Sequence, residues 1–301
     1  MRHGAALLAI LVVEAAAGYP ARWPHPVTAV GALIGGVERR WNHGAARRAK
    51  GVGLVLLLIG TAGGIGWAIE HVATGWRGFA LVVLAGTVGL AQRSLNDHVE
   101  AVADPLAAGD VPEARRMVAR IVGRDTEGLD EAGVATAAIE SLAESFCDGV
   151  VMPAFWFAVL GLPGLFAAKA INTADSMVGH RTARFAAFGW ASARADDLVA
   201  WIPARLSGAL ICLAGRGGWR IMRRDARAHA SPNAGWPEAA MAGALGRRLG
   251  GPVTYDGEPA LRPVMGEGPP PSAADLGRAL TVYRGACLLL WLVAGGLAWA
   301  R

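Results

Sequence analysis

Long apolar runs alternate with polar, arginine-rich segments along this chain. The apolar runs cover residues 5–17, 51–70, 77–95, 149–171, 198–214 and 279–300, and the polar segments between them include 96–148, 172–197 and 216–276. A helix needs about 20 apolar residues to span a bilayer. The pattern therefore predicts an all-α, polytopic helical membrane protein. We expect a single helical membrane domain over residues 1–301, with roughly four to six membrane-embedded segments and amphipathic cytoplasmic helices.

Two of the apolar segments are interrupted by helix-breaking residues. Segment 149–171 contains Pro153 and the sequence Gly161-Leu162-Pro163-Gly164, and segment 198–214 contains Pro203 and Arg205. Each is either a kinked span or a re-entrant hairpin. If all polar segments share one face of the membrane, both must re-enter. If both cross, the polar loop at 172–197 lies alone on the other side.

The charge distribution indicates which side of the membrane the polar segments face. Hydrophobic residues make up 53% of the 301 positions and charged residues only 18%, which excludes an ordinary soluble domain. The net charge of +5 comes from basic residues that flank the apolar runs, at 39–50, 115–124 and 216–227. Such loops are typical of the cytoplasmic side of a cell (inner) membrane. No basic motif interleaved with aromatic residues supports a nucleic-acid partner.

The first apolar run resembles a short signal peptide, with Ala15-Ala16-Ala17 as a cleavage-like sequence. Glu14 interrupts that run, so we expect a retained N-terminal helix. The cysteines, Cys147, Cys212 and Cys287, lack the spacing of metal ligands and are expected to be packing residues.

In the polar segment before residue 149 a helix is predicted at 111–122, with Asp110 as its N-cap and Pro112 in its first turn. Three carboxylates follow one another at helical spacing later in the same segment. Glu140, Glu144 and Asp148 are spaced i, i+4 and i+8 and share one face of a helix predicted at 130–147. Their mutual repulsion would be relieved by a hard cation such as Mg²⁺ or by arginines. The alternative is a solvated acidic face opposite a buried one.

The polar segment 172–197 repeats this chemistry in what the pattern predicts to be an interfacial loop. Asn172 and Asp175 are candidate metal ligands, and Arg181 has the planar fork that suits a phosphate or carboxylate. Asp196 and Asp197, at the start of the next apolar segment, are further candidate ligands. A loop in which Asn and Asp merely cap helices would look similar.

Three further positions carry candidate chemistry. Arg124-Asp125-Thr126 is predicted to be a tight turn that presents a basic and an acidic side chain, and no GxxxxGK[ST] phosphate loop occurs in the chain. His98, beside two acidic residues on a predicted helix, is either a general base or a surface histidine. Asn233 lies in Ser231-Pro232-Asn233-Ala234-Gly235, a shaped loop before a helix that has Glu238 in its first turn.

An ordered set of short sequences resembles one family. These are Pro24-His25-Pro26-Val27 with Gly31, Val122-Gly123-Arg124-Asp125-Thr126, Glu140-Ser141-Leu142-Ala143-Glu144 with Asp148-Gly149-Val150-Val151, Asn172-Thr173-Ala174-Asp175-Ser176-Met177, and Ser231-Pro232-Asn233-Ala234-Gly235. Together they resemble the cobalamin-biosynthesis membrane family called CobD or CbiB, from about residue 14 to residue 266. The chain departs from the expected pattern at Ser145-Phe146-Cys147.

This resemblance implies an adenosylcobinamide-phosphate synthase. Such an enzyme ligates the corrinoid adenosylcobyric acid to (R)-1-amino-2-propanol or its O-phosphate, using ATP and Mg²⁺, through either an acyl phosphate or an acyl adenylate. It also implies contact with membrane lipid and with other membrane enzymes of late cobalamin assembly. A pyridoxal-phosphate decarboxylase that shares the family name is excluded, because the only lysines are Lys50 and Lys169 and the fold is wrong for it.

With the resemblance, the candidate residues fall into three roles. The expected catalytic residues are Glu140, Glu144, His98 and Arg205; the residues expected to bind the cofactor are Arg124, Asp125, Thr126, Arg181 and Asn233; and the expected metal ligands are Asp148, Asn172, Asp175, Asp196 and Asp197. Two other functions stay open: a non-catalytic membrane sensor or signalling relative, and a small transporter that uses intramembrane charges as a pathway.

Overall fold

Helices dominate the structure, a computed structural model that describes residues 3–20 and 22–300. A π-helical turn (Cys147–Val151) and a 3₁₀ turn (Ala226–Ala228) accompany the α-helices. The α-helices are α1 (His3–Ala17), α2 (Pro26–Trp41), α3 (Arg47–Val72), α4 (Gly75–Thr87), α5 (Gln92–Ala107), α6 (Val111–Val118), α7 (Glu131–Phe146), α8 (Met152–Val178), α9 (Trp190–Val199), α10 (Trp201–Ala214), α11 (Trp219–Asp225), α12 (Gly235–Leu245) and α13 (Ala273–Trp299).

Four helical stretches in the described part of the chain are long and apolar enough to cross a membrane. They are Arg47–Val72, Gly75–Ala107, Glu131–Val178 and Ala273–Trp299, and α9 with α10 would make a fifth if the two form one broken span. The prediction of a polytopic helical membrane protein is therefore confirmed.

The chain divides into two compact units. Unit 1 comprises residues 1–91, 148–200 and 294–301, and unit 2 comprises residues 92–147 and 201–293. In unit 1, α8 packs against α2, α3 and α9, and α1 packs against α4 and α8. The core between α2, α3 and α8 is built from Ile34, Leu54, Leu58, Ala170, Ala174, Val178 and Phe188.

Unit 2 is organised around the short helix α12. This helix packs against α7, α10 and α11, and most of its residues are buried. The helices α5, α6 and α7 pack against one another beside it. A helix buried on all sides has no solvated face, so a charged residue on it must find its partners inside the protein. Glu238 is such a residue.

A two-stranded antiparallel hairpin completes unit 2, although the apolar pattern did not predict it. Strands β1 (Arg248–Tyr255) and β2 (Glu258–Gly266) pair through the register Tyr255↔Glu258. The turn residues Asp256 and Gly257 have φ values of 50° and 80°. Asp-Gly at these two positions is the sequence signal of a type I′ hairpin turn, so the signal was present in the sequence.

Several predicted boundaries shift in the structure. The run predicted at 77–95 ends as α4 at Thr87, and the helix predicted at 111–122 ends at Val118. Asp110 caps α6, as predicted, by accepting the backbone N–H of Glu113 at 3.0 Å. Segment 149–171 does break, at Gly161, where φ is +68°. Pro153 lies in the first turn of α8, where a proline does not interrupt the helix.

The prediction that residues 172–197 form a loop is wrong at both ends. Asn172 and Asp175 lie in the last two turns of α8, because buried residues such as Ala174 and Val178 continue at helical spacing. Asp196 and Asp197 lie on α9. Only the stretch from 179 to 189 joins the two helices, so the candidate ligands are carried by helices rather than by a flexible loop.

The single face predicted for Glu140, Glu144 and Asp148 is also wrong. Glu140 and Glu144 lie on α7, but Asp148 falls in the π-helical turn that follows. A π-turn inserts an extra residue into the helix and so shifts the register of side chains. The three carboxylates therefore belong to two separate groups of contacts.

Candidate active site

A buried ionic network in unit 2 is centred on Glu140. Its carboxylate accepts hydrogen bonds from Arg124, from Arg262 Nη1 at 2.7 Å and from the backbone N–H of Gly250 at 2.6 Å. Only 1% of its surface is exposed. The alternative of a solvated acidic face therefore does not hold for Glu140. Because its oxygens accept these hydrogen bonds, Glu140 is suited to hold Arg124 and Arg262 in position.

Arg262 extends this network to a second buried carboxylate. Its Nη2 donates to Glu238 Oε1 and Oε2 at 2.9 and 3.0 Å, and lies 2.9 Å from His229 Nε2. Burial raises the pKa of Glu238, and the guanidinium of Arg262 opposes that rise. Burial, together with the charge of Arg262, lowers the pKa of His229. Arg262 and His229 are not among the residues predicted from the sequence, because neither lies in a recognisable motif.

A small polar pocket adjoins the network. It has a volume of about 140 Å³, and Arg124, Glu140, Ser141, Glu144 and Arg262 are among its lining residues. Glu144 is exposed, and its charge acts on Glu238 and Arg262. The structure thus brings together three of the predicted residues, Arg124, Glu140 and Glu144, in one pocket.

The neighbouring candidates Asp125 and Thr126 hold the hairpin in place. Asp125 accepts the backbone N–H groups of Asp256 and Gly257 at 3.2 and 2.8 Å, and its own N–H donates to Thr254 at 2.9 Å. Thr126 is buried. These contacts give the Arg124–Thr126 turn a structural task, namely fixing the hairpin that carries Arg262. Binding of a cofactor by Asp125 and Thr126 stays a prediction.

Arg205 and Asn233 contact each other in unit 2. The guanidinium of Arg205 stacks over the rings of Trp201 and Trp236, at 4.2 and 4.7 Å from the ring centroids. Its Nη1 donates to Asn233 Oδ1 at 3.2 Å. Ser231 Oγ in turn accepts the backbone N–H of Asn233. These contacts hold the Arg205 side chain in place, and its catalytic role stays a prediction.

The structure does not join His98 to the Glu140 network. His98 is exposed on α5, and its Nδ1 lies 2.6 Å from the backbone oxygen of Ser94, one turn earlier. This environment matches the surface histidine that the sequence analysis held as the alternative. Its role as a base stays a prediction without geometric support in this structure.

A group of acidic side chains in unit 1 gathers around Asn172. The Asn172 amide nitrogen donates to Asp148 Oδ2 at 3.1 Å and to Asp196 Oδ1 at 3.2 Å. Residues 148, 172 and 196 come from the π-turn, α8 and α9, so only the tertiary fold makes them neighbours. An amide that donates to two carboxylates offsets part of their mutual repulsion.

The remaining predicted ligands of unit 1 belong to the same group. The charges of Asp148, Asp175 and Asp197 all act on Asp196. Arg181, which is exposed, interacts electrostatically with Asp197, and Arg194 Nη1 donates to Asp197 at 2.9 Å. The structure therefore brings together all five residues predicted as metal ligands, and it adds Arg181 at their edge.

The donor set of this acidic group fits a hard cation, since it offers carboxylate and amide oxygens. Within residues 3–20 and 22–300, however, no three His, Cys, Asp or Glu side chains are placed to hold one metal ion. Magnesium is usually held by one or two carboxylates together with substrate phosphates, and Asp148 and Asp196, on either side of the Asn172 amide, could supply the two.

An apolar cavity of about 490 Å³ in unit 1 has Lys169 in its lining. Its lining comes from α2, α3, α4 and α8, and its polar side chains include those of His25 and Lys169. The charges of Asp148 and Asp196 act on Lys169. His25 caps α2 by accepting the N–H of Val27 at 3.2 Å, which explains the Pro-His-Pro sequence.

One ionic contact that the sequence analysis missed holds the 179–189 connection. Arg184 donates to both oxygens of Glu38, at 3.1 and 2.9 Å, and Asn42 and Arg47 contact the backbone oxygen of Arg184. The hydrogen bond from Arg184 lowers the pKa of Glu38. The connection carries Arg181, so this contact also helps to hold the backbone from which the Arg181 side chain extends.

Comparison with known proteins gives a consistent result over the whole chain. The model of the family described as CobD/Cbib protein matches residues 6–283. A protein from Rhodobacter capsulatus named "Cobalamin biosynthesis protein CobD" is 50% identical, covering 99% of this chain and 98% of its own length. A protein of the same name from Geobacter metallireducens is 45% identical, covering 97% of this chain and 96% of its own length. Another, from a Sinorhizobium species, is also 45% identical and covers 93% of each chain. No solved structure matches the chain.

Proposed function

The chain belongs to the CobD/Cbib family, and on that premise we propose that it is a membrane-bound ATP-dependent amide ligase of cobalamin biosynthesis. It joins adenosylcobyric acid to (R)-1-amino-2-propanol or its O-phosphate and so forms adenosylcobinamide or its phosphate. The observation that carries this proposal is the extent of the family match, which includes the acidic group of unit 1 and the Glu140 network of unit 2.

The reaction needs groups of two kinds. ATP must activate the corrinoid carboxylate, after which the amine nitrogen forms a C–N bond as the activated C–O bond breaks. The ammonium must lose protons on the way to the amide, so a carboxylate such as Glu144 is needed to accept one. Negative charge on the phosphates must be neutralised, a task for arginines and for Mg²⁺.

The residues of this chain divide naturally between those tasks. Asp148, Asn172 and Asp196 would hold Mg²⁺, which when bound supplies positive charge to the triphosphate. Arg181, exposed beside that group, would contact phosphate oxygens. Glu144 is the accessible carboxylate of the second group, whereas Glu140 keeps Arg124 and Arg262 in place.

The active face is proposed to be cytoplasmic, because the basic segments that flank the apolar helices favour that side. Membrane lipid surrounds the exposed apolar side chains of α3 and α4, such as Leu56, Ile65 and Leu84. Other membrane enzymes of late cobalamin assembly are proposed as partners, since the product is an intermediate of that assembly.

Product analysis tests the proposal directly. The purified full-length protein in detergent is incubated with adenosylcobyric acid, Mg²⁺-ATP and either amine, and products are identified by mass spectrometry. Formation of the amide is expected, and release of ADP or of AMP identifies the activated intermediate. Movement of substrate in proteoliposomes without amide formation would favour the transporter. Absence of both would favour the sensor.

A further inference from the structure

The small pocket beside α7 is too small for most of the proposed reactants. Pockets that enclose drug-sized ligands usually measure about 300–1,000 Å³, whereas this one measures about 140 Å³. Neither a nucleotide nor a corrin macrocycle can be enclosed in it. A molecule with a short carbon chain and one or two polar groups can.

The charges around the pocket select among such small molecules. Arg124 and Arg262 line it, but both guanidinium groups are hydrogen-bonded to the buried carboxylates of Glu140 and Glu238. Glu144 also lines the pocket, and its side chain is exposed. Among the charged lining residues Glu144 is thus the exposed one, whereas the side chains of Arg124 and Arg262 are only 7% and 15% exposed, and an exposed carboxylate attracts a cation.

The hydroxyl groups of the lining complete the recognition. Ser141 Oγ donates to the backbone oxygen of Ile121 at 2.7 Å, so its lone pairs remain able to accept a hydrogen bond. Tyr255, on β1, also lines the pocket. A small amino alcohol has N–H and O–H donors, which can bond to the Glu144 carboxylate and to hydroxyl oxygens such as Ser141 Oγ.

We propose that this pocket is the subsite for the primary ammonium group of the amine substrate, with the Glu144 carboxylate as its partner. The assignment rests on the proposed function and adds the location of the amine within unit 2. It applies to a small amino alcohol and to its phosphate ester alike, because the two share the ammonium group.

Two substitutions test the subsite by binding rather than by turnover. Glu144→Gln removes the charge and keeps the shape. Gly123→Leu adds a side chain at a residue that lines the pocket, where an added Cβ meets no atom within 4 Å. Gly128→Leu is the matched control, since its Cβ is equally unobstructed and Gly128 is not a lining residue.

Calorimetric titration of the full-length protein in detergent with 1-amino-2-propanol, and separately with its phosphate, gives the dissociation constants. Hydrogen bonds to charged groups predict that Glu144→Gln weakens binding about tenfold or more. Gly123→Leu is expected to weaken it at least as strongly, while Gly128→Leu binds as the wild type does. Weakening confined to one of the two amines would contradict recognition through the ammonium group that they share.

The outcomes separate the subsite from the function. Absence of amine binding to the wild type, or unchanged binding in both Glu144→Gln and Gly123→Leu, would overturn the subsite. If product still forms with an unchanged KM for the amine in both variants, the subsite fails and the ligase function stands. If binding responds as expected but no amide forms from adenosylcobyric acid, the ligase function fails and the amine site stands.

Discussion

Removal of the Arg262 side chain is the perturbation for which the structure gives the clearest magnitude. Arg262 donates two hydrogen bonds to Glu238 and one to Glu140. Glu238 and Glu140 are 0% and 1% exposed. Arg262→Leu keeps an apolar stem but leaves Glu238 buried without its cation.

Removing one partner of a buried ion pair typically costs about 3–5 kcal/mol. We expect the lower end, about 3 kcal/mol, because Glu238 can bind a proton instead of remaining charged, and because Glu140 keeps Arg124 and the N–H of Gly250. For 301 residues with an unfolding entropy of about 2.1 cal/mol/K each, that corresponds to a fall in Tm of about 5 °C.

Thermal unfolding in detergent, followed by intrinsic fluorescence, measures this effect. The matched control is Arg220→Leu, because Arg220 and its partner Glu267 are 71% and 52% exposed. An exposed pair contributes at most about 1 kcal/mol. The loss in Arg262→Leu should shrink as the pH falls, because burial raises the pKa of Glu238 and protonation then neutralises that carboxylate. Equal Tm values for the two variants would refute the reasoning.

Three further predictions concern other parts of the chain. Asp196→Asn should raise the Mg²⁺ concentration needed for half-maximal amide formation, and an unchanged Mg²⁺ dependence would remove Asp196 from the metal site. Glu38→Gln should lower Tm near neutral pH, and progressively less as the pH falls. The hydrogen bond from Arg184 lowers the pKa of Glu38 from its usual 4.5, so the carboxylate stabilises the fold above that value and loses its contribution once it is protonated. A Tm difference that stays constant with pH would contradict the contact. Gly257→Ala should destabilise the protein by about 1–2 kcal/mol, because φ is +80° there, whereas Gly128→Ala in the same thermal assay should have little effect.

Local sequence signals predicted several features that the structure confirms. Asp110 before Val111-Pro112 predicted the cap and first turn of α6. The Gly161–Gly164 interruption predicted the break in α8, where Leu162 N donates to Glu70 Oε1 at 2.9 Å. Caps and breaks depend on residues close in sequence, so they can be read from a short window.

The two errors in helix geometry arose from judging polarity rather than burial. Asn172 and Asp175 looked like loop residues, yet Ala174 and Val178 between and after them are buried and keep the helix in register. The π-turn at Cys147–Val151 has no reliable signal in a single sequence. It nevertheless removes Asp148 from the face that Glu140 and Glu144 occupy.

Arg262 shows why the candidate site could be predicted only in part. The sequence indicated Glu140, Glu144 and Arg124 as chemical residues, and the structure groups them. The Asp-Gly turn at 256–257 could have revealed the hairpin, but not that its second strand places Arg262 against a carboxylate 122 residues earlier.

The sequence by itself determined the membrane-embedded helical class, the family and the residue types available for chemistry. These follow from hydropathy, helical periodicity and motif order, which are properties of neighbouring positions. Tertiary structure alone decided the ionic partners: Glu140 with Arg124 and Arg262, and Asn172 with Asp148 and Asp196. A buried charge takes whichever partner the packing brings within hydrogen-bonding distance, and packing joins positions that no local pattern relates.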